Sequence, residues 1–254
     1  MSLPSFSVEG KVTIVTGASR GIGNALARGF AEAGACVALV ARTVSELEAT
    51  AEEIQAKGGK VIVVPTDVTQ RSQLHAMVEH TLKEWGRIDV LLNVAGGAGD
   101  IWVMPALEMG EEYYEELQQR NLKSVFLCNQ AIARVMVEQR KGSIVNISSL
   151  SGTKPVALEA VIGGFKAGVN QMTKALAVAW GPYNVRVNAI APGLTLTDRV
   201  KKKLGPELIE QFTQDVPLKR AAQPEDHLGP AIFLASDASA YITGVILPSD
   251  GGPH

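Results

Sequence analysis

The chain has 254 residues, 24 basic and 26 acidic side chains for a net charge of −2, and a composition that is 46% hydrophobic and 20% charged. That balance excludes a disordered tail protein, which combines low hydrophobicity with high charge, and argues against a dedicated nucleic-acid binder. Two cysteines cannot build a disulfide framework, no apolar run reaches the roughly 18 residues of a membrane span, and the first residues lack the basic start and apolar stretch of a secretory leader. A cytoplasmic protein is expected, with no membrane and no nucleic acid among its partners.

In chain order, Lys11–Thr16 reads as a buried strand, and Gly21–Ala33 as a helix with Ile22, Ala25, Leu26 and Phe30 on one face. Cys36–Ala41 is the next strand, Val44–Lys57 a helix stopped by Gly58-Gly59, Lys60–Val64 a strand and Gln70–Trp85 a helix ended by Gly86. Ile88–Asn93 is a strand, Glu111–Arg140 a long helical stretch, Gly142–Ser148 a strand, Glu159–Trp180 a helix and Val185–Ala189 a strand. Helical pieces follow near Thr197–Gln214 and Pro224–Ser236, and Ile242–Leu247 is the last strand. Strands that are apolar almost throughout are buried on both faces. About seven of them, alternating with helices, predict one doubly wound parallel α/β sheet of Rossmann type. No linker interrupts the alternation, so residues 1–254 read as a single domain.

The first strand–helix junction is Thr16-Gly17-Ala18-Ser19-Arg20-Gly21-Ile22-Gly23. Gly17 permits a tight turn, while Gly21 and Gly23 let backbone amides and a helix N-terminus approach a pyrophosphate. The position between a strand and a helix makes this a dinucleotide loop rather than a chance run of glycines. Such sites often carry an acid at the end of the second strand, to hold the ribose 2′-hydroxyl. Here that end reads Val40-Ala41-Arg42. Arg42 and Arg20 supply guanidinium forks that suit a 2′-phosphate, so NADP(H) is expected in preference to NAD(H).

These and later motifs, from about Lys11 to Gly252, make the chain resemble the short-chain dehydrogenase/reductase family. Asp67-Val68 resembles the pair beside the adenine ring, and Asn93-Val94-Ala95-Gly96 the family's Asn-Asn-Ala-Gly segment with valine at its second place. Asn121 matches the helix asparagine of the catalytic tetrad, Ser149 the catalytic serine, and Pro192-Gly193 with Thr195 and Thr197 the segment that holds the nicotinamide carboxamide. The resemblance implies hydride transfer between a nicotinamide and a carbonyl or alcohol carbon. In the family a tyrosine handles the proton, and a lysine four residues later lowers its pKa and bonds the nicotinamide ribose. Lys166 matches that lysine, and positions i and i+4 share a helix face. The tyrosine position holds Ile162, and the following Gly163-Gly164-Phe165 also departs from the family pattern.

An isoleucine cannot donate a proton, and losing a positioned acid costs on the order of 10²–10⁴ in rate. Three readings stay open at this point. One is an oxidoreductase acting on a carbonyl, alcohol or activated C=C of an apolar or acyl-type substrate through a non-standard proton donor. The others are a redox-inactive NADP(H)-binding relative, serving as sensor, scaffold or partner subunit, and a non-redox lyase or isomerase on the same scaffold. Glu159, three residues before Ile162, is a weaker candidate for a substitute acid. The regions that face substrate in the family carry Leu158, Ile162, Leu194, Leu196, Trp102 and Met104, an apolar set, with a short lid expected at about 194–215. His75, His80, His227 and His254 show no metal-ligand spacing, and Ser149 lacks the glycine-flanked elbow of a serine hydrolase. The family's dimers join through the two long helices matching Glu111–Arg140 and Glu159–Trp180, so a homodimer or homotetramer is expected.

Overall fold

A computed structural model describes residues 5–97, 99 and 104–252. Seven strands form one parallel sheet in the order β3-β2-β1-β4-β5-β6-β7. They are β1 (Val12–Thr16), β2 (Cys36–Ala41), β3 (Lys60–Pro65), β4 (Val90–Asn93), β5 (Gly142–Ile147), β6 (Val185–Pro192) and β7 (Ile246–Ser249). Nine α-helices complete the described fold: α1 (Gly21–Glu32), α2 (Val44–Ala56), α3 (Arg71–Trp85), α4 (Glu111–Gln118), α5 (Ser124–Gln139), α6 (Ala160–Trp180), α7 (Asp198–Lys203), α8 (Pro206–Thr213) and α9 (Leu228–Ala235).

Side chains alternate across each strand, and both faces are covered. Val15, Val37, Leu39, Val90 and Leu92 face one core, with Leu26 and Phe30 of α1, Leu47 and Ile54 of α2 and Leu234 of α9. Ile14, Ala38, Val40 and Leu91 face the other, with Leu74 and Met77 of α3, Cys128, Ile132 and Met136 of α5 and Ala177 of α6. This is the physical reason the strands read as continuous apolar runs. The strand order reverses between β1 and β4, and the crevice at such a reversal, beyond the C-terminal strand ends, is where this architecture takes ligands.

Three expectations need correction. The last strand is Ile246–Ser249 rather than Ile242–Leu247. Gly244 N bonds Val187 O, but Val245 N is held by the Asn188 side chain, so the preceding residues run beside β6 outside its strand ladder. The stretch Glu111–Arg140 is not one continuous α-helix. A widened turn at Gln119–Lys123 separates α4 from α5, with the Ser124 amide bonded to Gln119 O, five residues back. Glu159 belongs to a short 3₁₀ turn, Ala157–Glu159, and α6 starts one residue later.

Candidate functional site

Every motif residue picked out in the sequence sits at or just beyond the C-terminal end of a strand, or on the helices over that edge. After β1, Gly17 has φ +68°, and a Cβ on Gly23 would lie 2.1 Å from the Gly17 carbonyl oxygen. Only glycine fits that second position, because the obstacle is backbone. Ser19 and Arg20 lead into α1, whose N-cap residue Arg20 makes no side-chain cap bond, and no acid lies in the first turn. The positive end of a helix therefore faces the crevice with its amides uncapped, the arrangement that takes a phosphate. The cradle fits the pyrophosphate of a dinucleotide.

The two sides of the crevice are tied together. Thr16 Oγ1 accepts from Val94 N at 2.9 Å and Ala95 N at 3.0 Å, and donates to Asn93 Oδ1 at 3.2 Å. Asn93 Nδ2 reaches Asn146 Oδ1 at 3.3 Å, and Asn146 Nδ2 bonds Thr173 Oγ1 at 3.0 Å. A buried polar chain thus crosses from β1 to α6 beneath the site. Sequence reasoning passed over Asn146 and Thr173, because nothing local marks them.

On the adenosine side, Asp67 Oδ1 accepts from Thr69 N at 2.9 Å and Thr69 Oγ1 at 2.7 Å, which fixes the turn, and Val68 packs against the core beneath it. Arg42 is exposed at the end of β2 and makes no ion pair among the described residues. Arg20 does not share that freedom. Its fork lies on Glu46, with Nη2 at 2.6 Å from Oε1 and Nε at 3.3 Å from Oε2. The two arginines are thus not equivalent: one is open to a ligand and the other already holds an acid.

On the catalytic side, Lys166 is buried and Nζ donates to Ile147 O at 2.9 Å. Burial pushes its pKa down to about 8. Asn121 lies in the widened turn, where Oδ1 accepts from Gly97 N at 2.7 Å and Nδ2 donates to Gly97 O at 3.1 Å and Leu117 O at 3.0 Å. Gly96 joins the two, since a Cβ there would lie 3.1 Å from Asn121 Oδ1 and 3.6 Å from Lys166 Nζ. Ser149 Oγ accepts from Ser151 N at 3.2 Å and bonds Ser151 Oγ at 3.0 Å, capping a turn that packs on α6. Gly163 permits this packing, because its Cβ would lie 2.7 Å from Ser151 O; at Gly164 a Cβ would meet open space. The structure brings Asn121 and Lys166 together around Gly96 and sets Ser149 on a turn that packs against α6, but makes no direct bond between Ser149 and Lys166.

Ile162 is half-buried and lines an open depression with Met104, Met109, Tyr113, Leu117 and Leu158, with Glu159 at its edge. Trp102, expected nearby, lies outside the described residues. Phe165 is buried against Tyr114, ring centroids 5.2 Å apart, and packs α4 onto α6. Beyond β6, Thr197 caps α7 through Val200 N, and its methyl would stand 3.0 Å from a Cβ on Gly21. Pro192 ends the strand, Gly193 N bonds Ser249 O at 3.1 Å, and Thr195 Oγ1 donates to Gly193 O at 3.0 Å. The segment after β6 therefore lies directly against the phosphate loop. Among the described residues no group of three or more His, Cys, Asp or Glu side chains is placed to hold a metal ion, and no helix is long and apolar enough to cross a membrane.

A glycine-lined phosphate cradle at the strand-order reversal, with a buried lysine and a serine across from it, defines a dinucleotide-dependent oxidoreductase site. Residues 17–254 match the family model described as Enoyl-(Acyl carrier protein) reductase. The chain is 38% identical over 245 residues to the 3-oxoacyl-[acyl-carrier-protein] reductase FabG of Thermotoga maritima, covering 96% of this chain and 98% of that one. A short-chain type dehydrogenase/reductase from Mycobacterium marinum shares the structure with a TM-score of 0.91 at 37% identity, covering 97% and 96% of the two chains. A putative NAD(P) dependent gluconate 5-dehydrogenase from Beutenbergia cavernae, solved with bound NADP at low occupancy, aligns with a TM-score of 0.90 at 35% identity over 97% and 98%. The chain belongs to the short-chain dehydrogenase/reductase family of oxidoreductases.

Proposed function

We propose that the chain is an NADP(H)-dependent reductase of a carbonyl group, or of a C=C bond conjugated to one, on an apolar or acyl-type substrate, with the Lys166 ammonium as its proton source. When bound, NADPH supplies the hydride. The observation that carries this reading is the buried ammonium of Lys166, one helical turn beyond Ile162 and bonded through one of its three protons to Ile147 O. A general acid works best with a pKa near the working pH, and burial brings this lysine to about 8. Isoleucine is shorter than tyrosine, which leaves space for a water between Nζ and a substrate oxygen. Ser149 Oγ then orients the substrate oxygen, and Asn121 anchors the Gly97 loop beside Gly96.

The remaining assignments follow the cradle. Gly17, Ser19, Arg20, Gly21, Ile22 and Gly23 take the pyrophosphate, Arg42 takes the 2′-phosphate, and Asp67 and Val68 flank the adenine. Asn93, Ala95 and Gly96 line the ribose side, where Lys166 also bonds, and Pro192, Gly193, Thr195 and Thr197 hold the carboxamide. The apolar depression beside Ile162 suits an aliphatic or acyl chain, and residues 194–215, which include α7 and α8, are assigned as the substrate lid by their place after β6. Phe126 of α5 and Val178 of α6 are exposed and apolar, which supports a homo-oligomer joined through those two helices.

The test pairs titration of NADPH and NADH with turnover on a panel of ketones and enoyl thioesters. Tighter NADPH binding with measurable reduction is expected, and Ile162→Tyr should raise ketone reduction by one or more orders of magnitude. Tight binding with no turnover on any member, in both the parent and Ile162→Tyr, would favour a non-redox role instead.

A further inference from the structure

Among the buried titratable side chains without a part in the chemistry above is an imidazole beside the segment after β6. His227, at the end of a short 3₁₀ turn before α9, is fully buried. Its Nε2 lies 2.9 Å from Thr195 Oγ1 and its Nδ1 lies 2.8 Å from Ser249 Oγ. The hydrogen-bond directions follow from the neighbours. The Thr195 hydroxyl proton is directed to Gly193 O at 3.0 Å, so Thr195 Oγ1 accepts from His227 Nε2–H. Nδ1 is then the acceptor and the Ser249 hydroxyl the donor. Burial lowers the pKa of His227, opposed by the charge of Asp226 beside it, which agrees with a neutral imidazole.

We infer that His227 is a positioning residue for the nicotinamide half of the cofactor, acting through Thr195; this rests on the cofactor site proposed above. The imidazole joins three separate elements: the loop after β6, the start of α9 and the end of β7. The Gly193–Thr197 loop is fastened along its other edge by Ala222, whose N–H donates to Leu194 O at 2.9 Å and whose carbonyl accepts from Leu196 N at 2.8 Å. With His227 in place the loop is held from two sides, and Thr197 is kept against Gly21. Without it, Ser249 Oγ loses its acceptor on the imidazole, and the loop is left to the Ala222 edge and the Gly193–Ser249 backbone bond. The adenosine side, around Arg42 and Asp67, has no connection to this relay.

The experiment compares two probes, NADPH and 2′-phospho-ADP-ribose, which carries the phosphates and adenosine but no nicotinamide. Both are titrated against the parent chain, His227→Leu, and the triple variant Thr195→Val/His227→Leu/Ser249→Ala. His227→Leu should weaken NADPH roughly five- to tenfold, the loss of about one net hydrogen bond, and leave 2′-phospho-ADP-ribose within about twofold. The triple variant replaces every member with an apolar one, so its unfolding midpoint should recover while NADPH stays weak. If His227→Leu does not fold, the double variant His227→Leu/Ser249→Ala, which leaves Thr195 in place, carries the comparison. Equal weakening of both probes, unchanged NADPH affinity, or recovery of NADPH affinity together with stability would each overturn the inference. A parent chain that binds neither probe would instead overturn the cofactor reading itself.

Discussion

The loop after β1 and the first turns of α6 stand on opposite sides of one crevice and obey different constraints. In the β1 loop the backbone shapes the site. Gly23 has no room for a Cβ, Thr16 links β1 to β4, and the first amides of α1 have no side-chain cap. Around α6 side chains shape the site: Ile162 offers no proton, Phe165 packs on Tyr114, and Lys166 is buried with a lowered pKa. A backbone site is nearly all-or-nothing with respect to sequence. A side-chain site can lose one member and reassign its task to another, provided the replacement holds a proton near neutral pH.

The contrast can be broken most severely at Gly23. Gly23→Ala would set a methyl against the Gly17 carbonyl, and NADPH titration should find binding weakened by at least two orders of magnitude. On the other side, Lys166→Met should preserve NADPH binding to within about tenfold while turnover falls by roughly 10²–10⁴. The parent's rate should fall as pH rises through about 8, where the ammonium loses its proton, and the variant should lack that limb. Stability has its own sign. The lysine binds fewer protons folded than unfolded between about 8 and its ordinary 10.5, so denaturant titration should show the parent gaining stability across that window and Lys166→Met gaining less. Arg42→Ser should cut the preference for NADPH over NADH by about tenfold without altering NADH binding, measured by paired titrations. The smallest effect on chemistry is expected from Val178→Asp on the exposed face of α6, where light scattering should show a smaller assembly with turnover per chain little changed.

Much of the fold was legible because two-sided burial imposes a plain signal. β2 matches its expected limits, and β1 and β5 differ from theirs by a residue at one end. The last strand slipped because Ile242 and Val245 are as apolar as Ile246 and Leu247, and hydrophobicity cannot show which of them enter the ladder. The tight turn at Gly17 and the close approach at Gly23 were legible because glycine spacing records backbone geometry directly. Arg20 was paired with Arg42 in the sequence reading because its partner Glu46 lies 26 residues away on another element. His227 drew attention only as a non-ligand of metals. Its partners lie 32 and 22 residues off, one on the loop after β6 and one at the end of β7, and no local pattern announces such a relay.

The widened turn at Gln119–Lys123 bears on how the site could be lost. Asn121 faces Gly97 because the helix carries more residues in that turn than an α-helix allows, and none of the residues there is unusual for a helix. Each residue advances an α-helix by about 100°, so deleting one between 119 and 123 would heal the hydrogen-bond ladder and swing the asparagine off the crevice. The position is encoded by a count along the chain. Among relatives, insertions and deletions there carry information that residue identity does not.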